Sequence, residues 1–225
     1  MRRLLLFAKR PRVGRVKTRL TPALSPADCT GLYRAFLADQ VGFLRSLADS
    51  CEGEVCLDGP WSGDPQAFDG LRVSRQGTGD LGERLLRAFR RSSDEGASAT
   101  LVVGADSPTL PAARVHHAFR ALEAGASVVV SPAEDGGYVL LGTRGPYEEL
   151  FRDLPWSGPR LLELTLERAA ASGLELVRLE AWYDVDEPKD LERLRAELED
   201  SRAARRAPAT ARFLARLDRS GSGVV

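Results

Sequence analysis

The sequence is poor in cysteine, carries no net charge and contains no long apolar run. Its three cysteines, Cys29, Cys51 and Cys56, are odd in number and lack the paired spacing of zinc ligands, which excludes a disulfide framework or a structural zinc site. Thirty-two basic and thirty-two acidic side chains cancel. There is therefore no global field to attract nucleic acid or an anionic membrane. No apolar segment has the length of a membrane span.

What is present is the composition of a globular protein, with 43% hydrophobic and 28% charged residues among 225. That is enough for one substantial core, and we expect a single domain over residues 1–199. Residues 200–225 are predicted to form a charged tail, partly helical or frayed. The apolar run 4–8 follows a basic start but is too short for a signal peptide, so we expect a reducing, cytoplasmic location.

Seven short apolar runs predict β-strands, at residues 4–8, 54–57, 71–74, 100–104, 127–131, 138–142 and 174–179. Helical patterns lie between most of them. Ser25 and Asp80 have the features of helix caps, and Ser157 and Asp186 can cap two more helices. Strands that alternate with helices predict an α/β fold with a mainly parallel sheet, which binds ligands at the carboxyl ends of its strands.

The first candidate site is the loop that follows the first predicted strand. Residues 9–20 hold six cations around Gly14 and one proline. Main-chain amides and guanidinium groups in such a loop can bind a polyphosphate. The alternative is a solvated, charge-rich turn.

Two further strand ends carry carboxylates. Asp106 follows the strand 100–104, where it could hold a divalent cation such as Mg²⁺ or simply form an Asx turn. Asp184 and Asp186 are separated by one residue, so an extended backbone would place both on one face. A helix cap would explain Asp186 but not Asp184. Two acidic strand ends beside a basic one suit metal-assisted chemistry on a nucleotide phosphate.

Two glycine-containing segments are candidates for substrate contacts. Residues 134–138 suit a hydroxyl-rich or phosphorylated acceptor, but they are also a strong turn signal; they are Glu134, Asp135, Gly136, Gly137 and Tyr138. The segment 76–80 could contact a nucleobase or ribose through Gln76, Gly79 and Asp80. The simpler explanation is an ordinary loop between a strand and a helix. Trp156 could flank an acceptor pocket, although a core position is the commoner role for tryptophan.

Together these motifs resemble the nucleotide-diphospho-sugar transferase superfamily, which has the glycosyltransferase-A fold. The resemblance covers the chain up to about residue 194 and rests on residues 7–9, 14–20, 79–84, 104–108, 134–138 and 184–186. It is closest to a bacterial group named DUF2064, described as glycosyltransferase-like and similar to guanylyltransferases of coenzyme biosynthesis.

The resemblance implies a Rossmann-like three-layer sandwich with a mixed, mostly parallel sheet. The first strand and its loop would hold the nucleotide through Ala8, Lys9, Gly14, Arg15, Lys17 and Arg19. Mg²⁺ or Mn²⁺ would be bound by Asp106 and Asp186, with Asp184 in support. The sequence departs from sugar nucleotidyltransferases because residues 8–11 replace their glycine-rich loop. It departs from typical glycosyltransferases because residues 105–107 supply one carboxylate where those enzymes have two.

The leading functional hypothesis is nucleotidyl transfer from a nucleoside triphosphate to a phosphorylated small-molecule acceptor, with Lys17, Arg19 and Asp106 as catalytic residues. The alternative is glycosyl transfer from a nucleotide sugar, in which Asp135 or Glu134 activates an acceptor hydroxyl. A third hypothesis is a nucleotide-binding protein without turnover. Nucleic acid is not an expected partner in any of them.

Overall fold

A computed structural model describes residues 1–156 and 158–221 and contains one seven-stranded sheet. The strands are β1 (Arg2–Ala8), β2 (Glu52–Leu57), β3 (Arg72–Arg75), β4 (Ala99–Gly104), β5 (Val128–Pro132), β6 (Tyr138–Thr143) and β7 (Leu176–Arg178). Their order is β3-β2-β1-β4-β6-β5-β7, and only β6 runs antiparallel to its neighbours. All seven predicted strands are confirmed. The start of β6 and the carboxyl ends of the other strands share one edge.

Helices cover both faces of the sheet. They are α1 (Pro26–Ser46), α2 (Leu81–Asp94), α3 (Ala112–Glu123), α4 (Leu161–Ala171), α5 (Pro188–Leu198), α6 (Ser201–Arg206) and α7 (Pro208–Gly221). Short 3₁₀ turns lie at Thr18–Leu20, Pro65–Phe68 and Glu148–Leu150.

The core divides between the two faces because side chains alternate along each strand. Leu4 and Leu6 of β1 pack with α1 and α3 on one face, whereas Leu5 packs with α2 and α4 on the other. The predicted three-layer sandwich with a mixed, mostly parallel sheet is therefore confirmed. No helix in the described part of the chain is long and apolar enough to cross a membrane. The three cysteines are buried free thiols, as expected.

Two of the four predicted helix caps are confirmed. Ser25 accepts a hydrogen bond from the amide of Asp28, and Asp80 forms a capping box with Glu83. The cap predicted at Ser157 lies outside the described residues.

The prediction that Asp186 caps a helix is wrong. Glu187 occupies the N-cap position of α5. Asp190, in the first turn, accepts hydrogen bonds from the amides of Asp186 and Glu187. Because a carboxylate inside the helix serves these amides, the side chain of Asp186 is left for other contacts.

Of the two alternatives predicted after residue 200, a partly helical or a frayed tail, the described residues show the helical one. Helices α6 and α7 continue the chain, and α7 packs against α1. The buried carboxylate of Asp39 on α1 accepts hydrogen bonds from the amides of Ala209 and Thr210, each at 2.8 Å, and from the Thr210 hydroxyl. It thereby caps a helix about 170 positions further along the chain. Leu214 completes the attachment by burying its side chain in a cluster of apolar residues that includes Phe36 of α1 and Leu191 of α5.

Candidate functional site

The carboxyl edge of the sheet brings the predicted segments together around one cavity of about 440 Å³. Its lining includes four cations from the loop after β1 and two carboxylates from other segments: Lys9, Arg15, Lys17, Arg19, Asp135 and Asp186. The cavity lies where a doubly wound sheet is expected to bind its ligand.

The loop after β1 contains both buried and exposed side chains. Val16 and Leu20 are buried, while Arg15 and Arg19 remain exposed beside the cavity. Lys17 adopts a left-handed backbone conformation (φ 51°, ψ 37°), which is uncommon for a residue with a side chain. This conformation leads into the 3₁₀ turn Thr18–Leu20, and the Lys17 side chain is buried, with 3% exposure.

The ammonium group of Lys17 lies between two carboxylates from distant parts of the chain. Its Nζ forms ion pairs with Oδ1 of Asp106 and, at 2.9 Å, with Oδ1 of Asp186. Burial alone lowers the pKa of Lys17, but the charges of Asp106 and Asp186 more than offset it, so the pKa is raised and the group is cationic. The ring of Phe36 lies 5.5 Å from the same ammonium.

Backbone hydrogen bonds position the two carboxylates. The amide of Val185 donates to the carbonyl of Asp106 at 2.9 Å, which joins the two acidic segments. On the other side, Gln40 of α1 donates to the carbonyl of Ser107. The Asp106 carboxylate contacts Lys17 rather than its own backbone, so the Asx-turn alternative is not what the structure shows.

Residues 183–186 alternate as predicted. Tyr183 and Val185 are buried in the core, and the intervening Asp184 and Asp186 are only partly buried. The segment is not part of a strand, however, because β7 ends at Arg178. The alternation survives because the chain is held by single hydrogen bonds, such as that from the Trp182 amide to the Pro132 carbonyl.

The two acids of this segment have opposite electrostatics. Burial raises the pKa of Asp184, and the charges of Asp186 and Asp135 add to the rise, so that it is about 6. Burial has the same sign at Asp186, but Lys17 outweighs it and lowers the pKa of that carboxyl. Asp186 is therefore the acid held ionised by a paired cation.

The segment 133–137 forms the turn of the β5–β6 hairpin, as the turn alternative predicted. The carbonyl of Gly137 accepts from the Ala133 amide, and Oδ1 of Asp135 accepts from the Gly137 amide at 3.0 Å. Gly136 has a φ of +90°, and a Cβ there would lie 1.9 Å from the Pro159 carbonyl oxygen, so glycine is required.

Only part of the predicted acceptor set faces the cavity. Asp135 and Gly137 line it. Glu134 instead pairs with Arg193 of α5 at 2.6 Å, and Tyr138 begins β6 with its phenol buried.

Three predicted nucleotide contacts have structural tasks. The side-chain amide of Gln76 donates to the carbonyls of Ala8 and Cys56, which ties the ends of β1 and β2 together. Gly79 and Asp80 open helix α2. Gln76, Gly79, Asp80 and Ala8 do not line the cavity, and their contacts with a nucleotide stay predictions.

Two positioning residues were not found from the sequence. Tyr33 accepts a hydrogen bond from the Lys9 amide at 2.8 Å, and Gln40 holds Ser107. A signal exists, since both are polar residues on the buried stripe of α1. Trp156, for which a pocket position and a core position were both left open, stacks on Phe151 with centroids 6.2 Å apart and also lines the cavity.

The donor set at this edge is compatible with a divalent cation. Among residues 1–156 and 158–221, no group of three or more His, Cys, Asp or Glu side chains is arranged to hold a metal. Mg²⁺, however, needs only one or two protein carboxylates when substrate phosphates and water supply the rest. Asp106 and Asp186 converge on a single positive charge, the Lys17 ammonium. They are oxygen donors of the type that Mg²⁺ and Mn²⁺ take.

Three solved structures illustrate the likeness of the fold. A Desulfovibrio desulfuricans G20 protein, provisionally named a nucleotide-diphospho-sugar transferase, is 30% identical over 96% of this chain and 95% of its own, with a TM-score of 0.86. CMP:2-keto-3-deoxy-manno-octonic acid synthetase, complexed with CTP, is 14% identical over 88% and 99% of the two chains, with a TM-score of 0.54. Glucosyl-3-phosphoglycerate synthase from Mycobacterium tuberculosis is 14% identical over 92% and 78%, with a TM-score of 0.51.

The fold is thus that of the nucleotide-diphospho-sugar transferases, which comprise both nucleotidyl- and glycosyltransferases. The model of a family described as "Uncharacterized protein conserved in bacteria (DUF2064)" matches residues 44–158, and the chain belongs to that family. The matched range includes Asp106 and Asp135 but not Lys17 or Asp186. No curated protein matches the chain.

Proposed function

We propose that the protein is a Mg²⁺-dependent transferase that acts on a nucleotide, and that its reaction is nucleotidyl transfer. An ionised phosphate oxygen of a small-molecule acceptor attacks the α-phosphorus of a nucleoside triphosphate. The bond from the α-phosphorus to the oxygen that bridges to the β-phosphorus breaks, and pyrophosphate leaves with the electron pair. An ionised acceptor needs no general base, so alignment and charge neutralisation supply the catalysis.

The observation that carries this proposal is the excess of cations at the cavity. Lys9, Arg15 and Arg19 form no ion pair within the described residues. Some guanidinium groups elsewhere in the described chain have a carboxylate partner, such as Arg193 with Glu134, and others do not, so the distinguishing feature is that these three cations line one cavity. Three uncompensated cations on one wall suit a ligand with several negative charges, such as a triphosphate.

The residues have distinct tasks in the proposed reaction. Lys9, Arg15, Lys17 and Arg19 bind the phosphates that leave as pyrophosphate. Asp106 and Asp186 would hold Mg²⁺ or Mn²⁺, with Asp184 in support, and the bound ion would neutralise charge on the transferred and leaving phosphates. Asp135 and Gly137 also line the cavity, where they would contact an acceptor.

Glycosyl transfer from a nucleotide sugar is the second candidate. Asp135 favours it, because one of its oxygens accepts from the Gly137 amide while the residue lines the cavity. A carboxylate in that place can take the proton from an acceptor hydroxyl. The provisional name of the Desulfovibrio protein points the same way.

The test is thermal stabilisation by a panel of nucleoside triphosphates, nucleoside diphosphates and nucleotide sugars, each with and without Mg²⁺. We expect one triphosphate to raise the melting temperature only with Mg²⁺. The variant Arg19→Met should lose most of that rise. Arg12→Met is the matched control, since Arg12 is an exposed cation of the same loop that does not line the cavity.

The outcomes separate the candidates. Stabilisation by a nucleotide sugar and its diphosphate, with triphosphates inert, would replace nucleotidyl transfer by glycosyl transfer. Equal binding with and without metal would favour a nucleotide-binding protein without turnover. For any triphosphate that binds, release of pyrophosphate when candidate phosphorylated acceptors are added would establish the reaction.

A further inference from the structure

We propose that Lys17 is an internal counter-cation of the metal site: the divalent ion and the Lys17 ammonium compete for Asp106 and Asp186, and the displaced ammonium moves to the substrate phosphates. This inference rests on the proposed function. It adds a coupling, because one side chain would link the binding of metal to the binding of nucleotide.

The first support is that one ammonium is shared by the two carboxylates. Asp106 follows β4 and Asp186 precedes α5, yet Oδ1 of each contacts the same Nζ. Without the ammonium, two carboxylates would face each other at close range and repel. A divalent ion held between the two acids through their Oδ1 atoms would take the position that the ammonium now occupies.

The second support is electrostatic. A divalent cation between these carboxylates would place two positive charges beside the ammonium, and like charges at such a distance repel strongly where water is excluded. The Lys17 side chain is only 3% exposed. The ion and the ammonium therefore cannot both keep the position between the acids.

The third support is that both the divalent ion and the Lys17 ammonium can reach the positions that the proposal requires. The side chains of Asp106 and Asp186 are 42% and 38% exposed, so a hydrated ion can reach them from solvent. Lys17 itself lines the cavity together with Arg15 and Arg19. A change of side-chain rotamer, without unfolding of the loop, would bring its ammonium from the acids towards bound phosphates.

A defined consequence follows for binding. Metal frees the ammonium for the phosphates, and phosphates draw the ammonium away from the acids. Each ligand should therefore raise the affinity of the other, by equal factors. This cooperativity would pass through Lys17 in addition to direct contacts between metal and phosphate.

The experiment measures Mn²⁺ binding by electron paramagnetic resonance and calorimetry, with no turnover required. Wild type is compared with Lys17→Met and Lys17→Gln, and Arg12→Met is the control on the same loop. Both neutral Lys17 variants should bind Mn²⁺ about tenfold more tightly than wild type in the absence of nucleotide. Mn²⁺ should also raise their melting temperatures more than that of wild type, because it relieves the repulsion between the acids.

The second arm adds the nucleotide that the ligand panel selects. In wild type the nucleotide should strengthen Mn²⁺ binding by a larger factor than in Lys17→Gln. Unchanged or weaker Mn²⁺ binding in both variants would overturn the competition while leaving the proposed function intact. If wild type binds neither Mn²⁺ nor any nucleotide, both proposals fail. Lys17→Gln retains hydrogen-bond donors for the carboxylates, so it serves if Lys17→Met does not fold.

Discussion

Two clusters of charged side chains, each around a buried group, lie at opposite ends of the strands and are built differently. The carboxyl-edge cluster is Lys17, Asp106 and Asp186. The amino-edge cluster is Arg3, Glu54, Arg72, Arg91 and Glu95, at the other ends of β1 to β3 and on α2.

The amino-edge cluster is the more fully paired of the two, although Oε2 of Glu54 and Nε of Arg91 have no hydrogen-bond partner among the described residues. Glu54 is 1% exposed and accepts from Arg91 and the Ser74 hydroxyl, while Glu95 accepts from both Arg72 and Arg3. Each carboxylate there has at least two donors. At the carboxyl edge, by contrast, two partly exposed carboxylates share one ammonium. The difference shows which charges hold the fold and which remain available to a ligand.

The largest expected effect comes from Asp106→Asn, which tests whether the carboxyl-edge cluster serves the reaction. Under the proposed function, kcat/KM should fall about 10³-fold, because the metal loses one of two protein ligands. Stability should fall by about 1–2 kcal/mol, less than for a fully buried pair, because the Asp106 side chain is 42% exposed and Asp186 still pairs with the buried Lys17 ammonium. Steady-state kinetics and urea unfolding measure the two quantities. A loss of stability without a loss of turnover would make this cluster structural.

Arg91→Met tests whether the amino-edge cluster stabilises the fold. It leaves the buried Glu54 carboxylate short of a partner and should lower the free energy of unfolding by about 3 kcal/mol. Arg90→Met is the control on the same helix: Arg90 pairs with Glu148 where both side chains are exposed, so the loss should be under about 1 kcal/mol. Equal losses in urea unfolding would show that burial of Glu54 does not matter.

The smallest effect concerns pH. The hydrogen bond from Arg72 lowers the pKa of Glu95, partial burial opposes this, and Arg3 adds to the lowering, so the pKa is about 2 instead of 4.5. Because the folded state binds this proton more weakly, the stabilisation is complete above about pH 4.5 and is lost as the pH falls towards 2.

Glu95→Gln should therefore give a flatter profile of unfolding free energy in that window. The slope that one group can contribute is at most about 1.4 kcal/mol per pH unit. Urea unfolding of wild type and variant across the window measures it. Identical slopes would mean that the ion pairs of Glu95 do not stabilise the folded state.

The sequence was sufficient for most of the sheet because most strands are apolar runs bounded by turn residues; β3 is the exception, with Val73 as its one apolar residue. It was also sufficient for the β5–β6 turn, where residues 135–137 are a local signal. The predicted cations and acids do meet at one edge, as the strand-end argument requires. These features depend on neighbours in sequence or on the direction of strands.

Contacts between distant residues could not be predicted. Lys17 and Asp186 are 169 positions apart, and no periodicity relates them. The docking of α7 depends on one carboxylate, Asp39, within an ordinary helical stripe. The structural task of Gln76 was not predicted for a related reason: a polar residue after a strand has the same sequence signal whether it contacts a ligand or a neighbouring carbonyl.

Helix α1 sets the distance between two loops of the site. Tyr33 fixes the beginning of the basic loop at Lys9, and Gln40 fixes the acidic loop at Ser107. These two anchors are seven residues apart on one rigid helix, a spacing of about 10 Å. The distance between the two anchored loop positions is therefore set by the helix and does not depend on the lengths of the loops. Neither of these two anchors holds the turn at 133–137, so a difference in substrate size would have to be accommodated there.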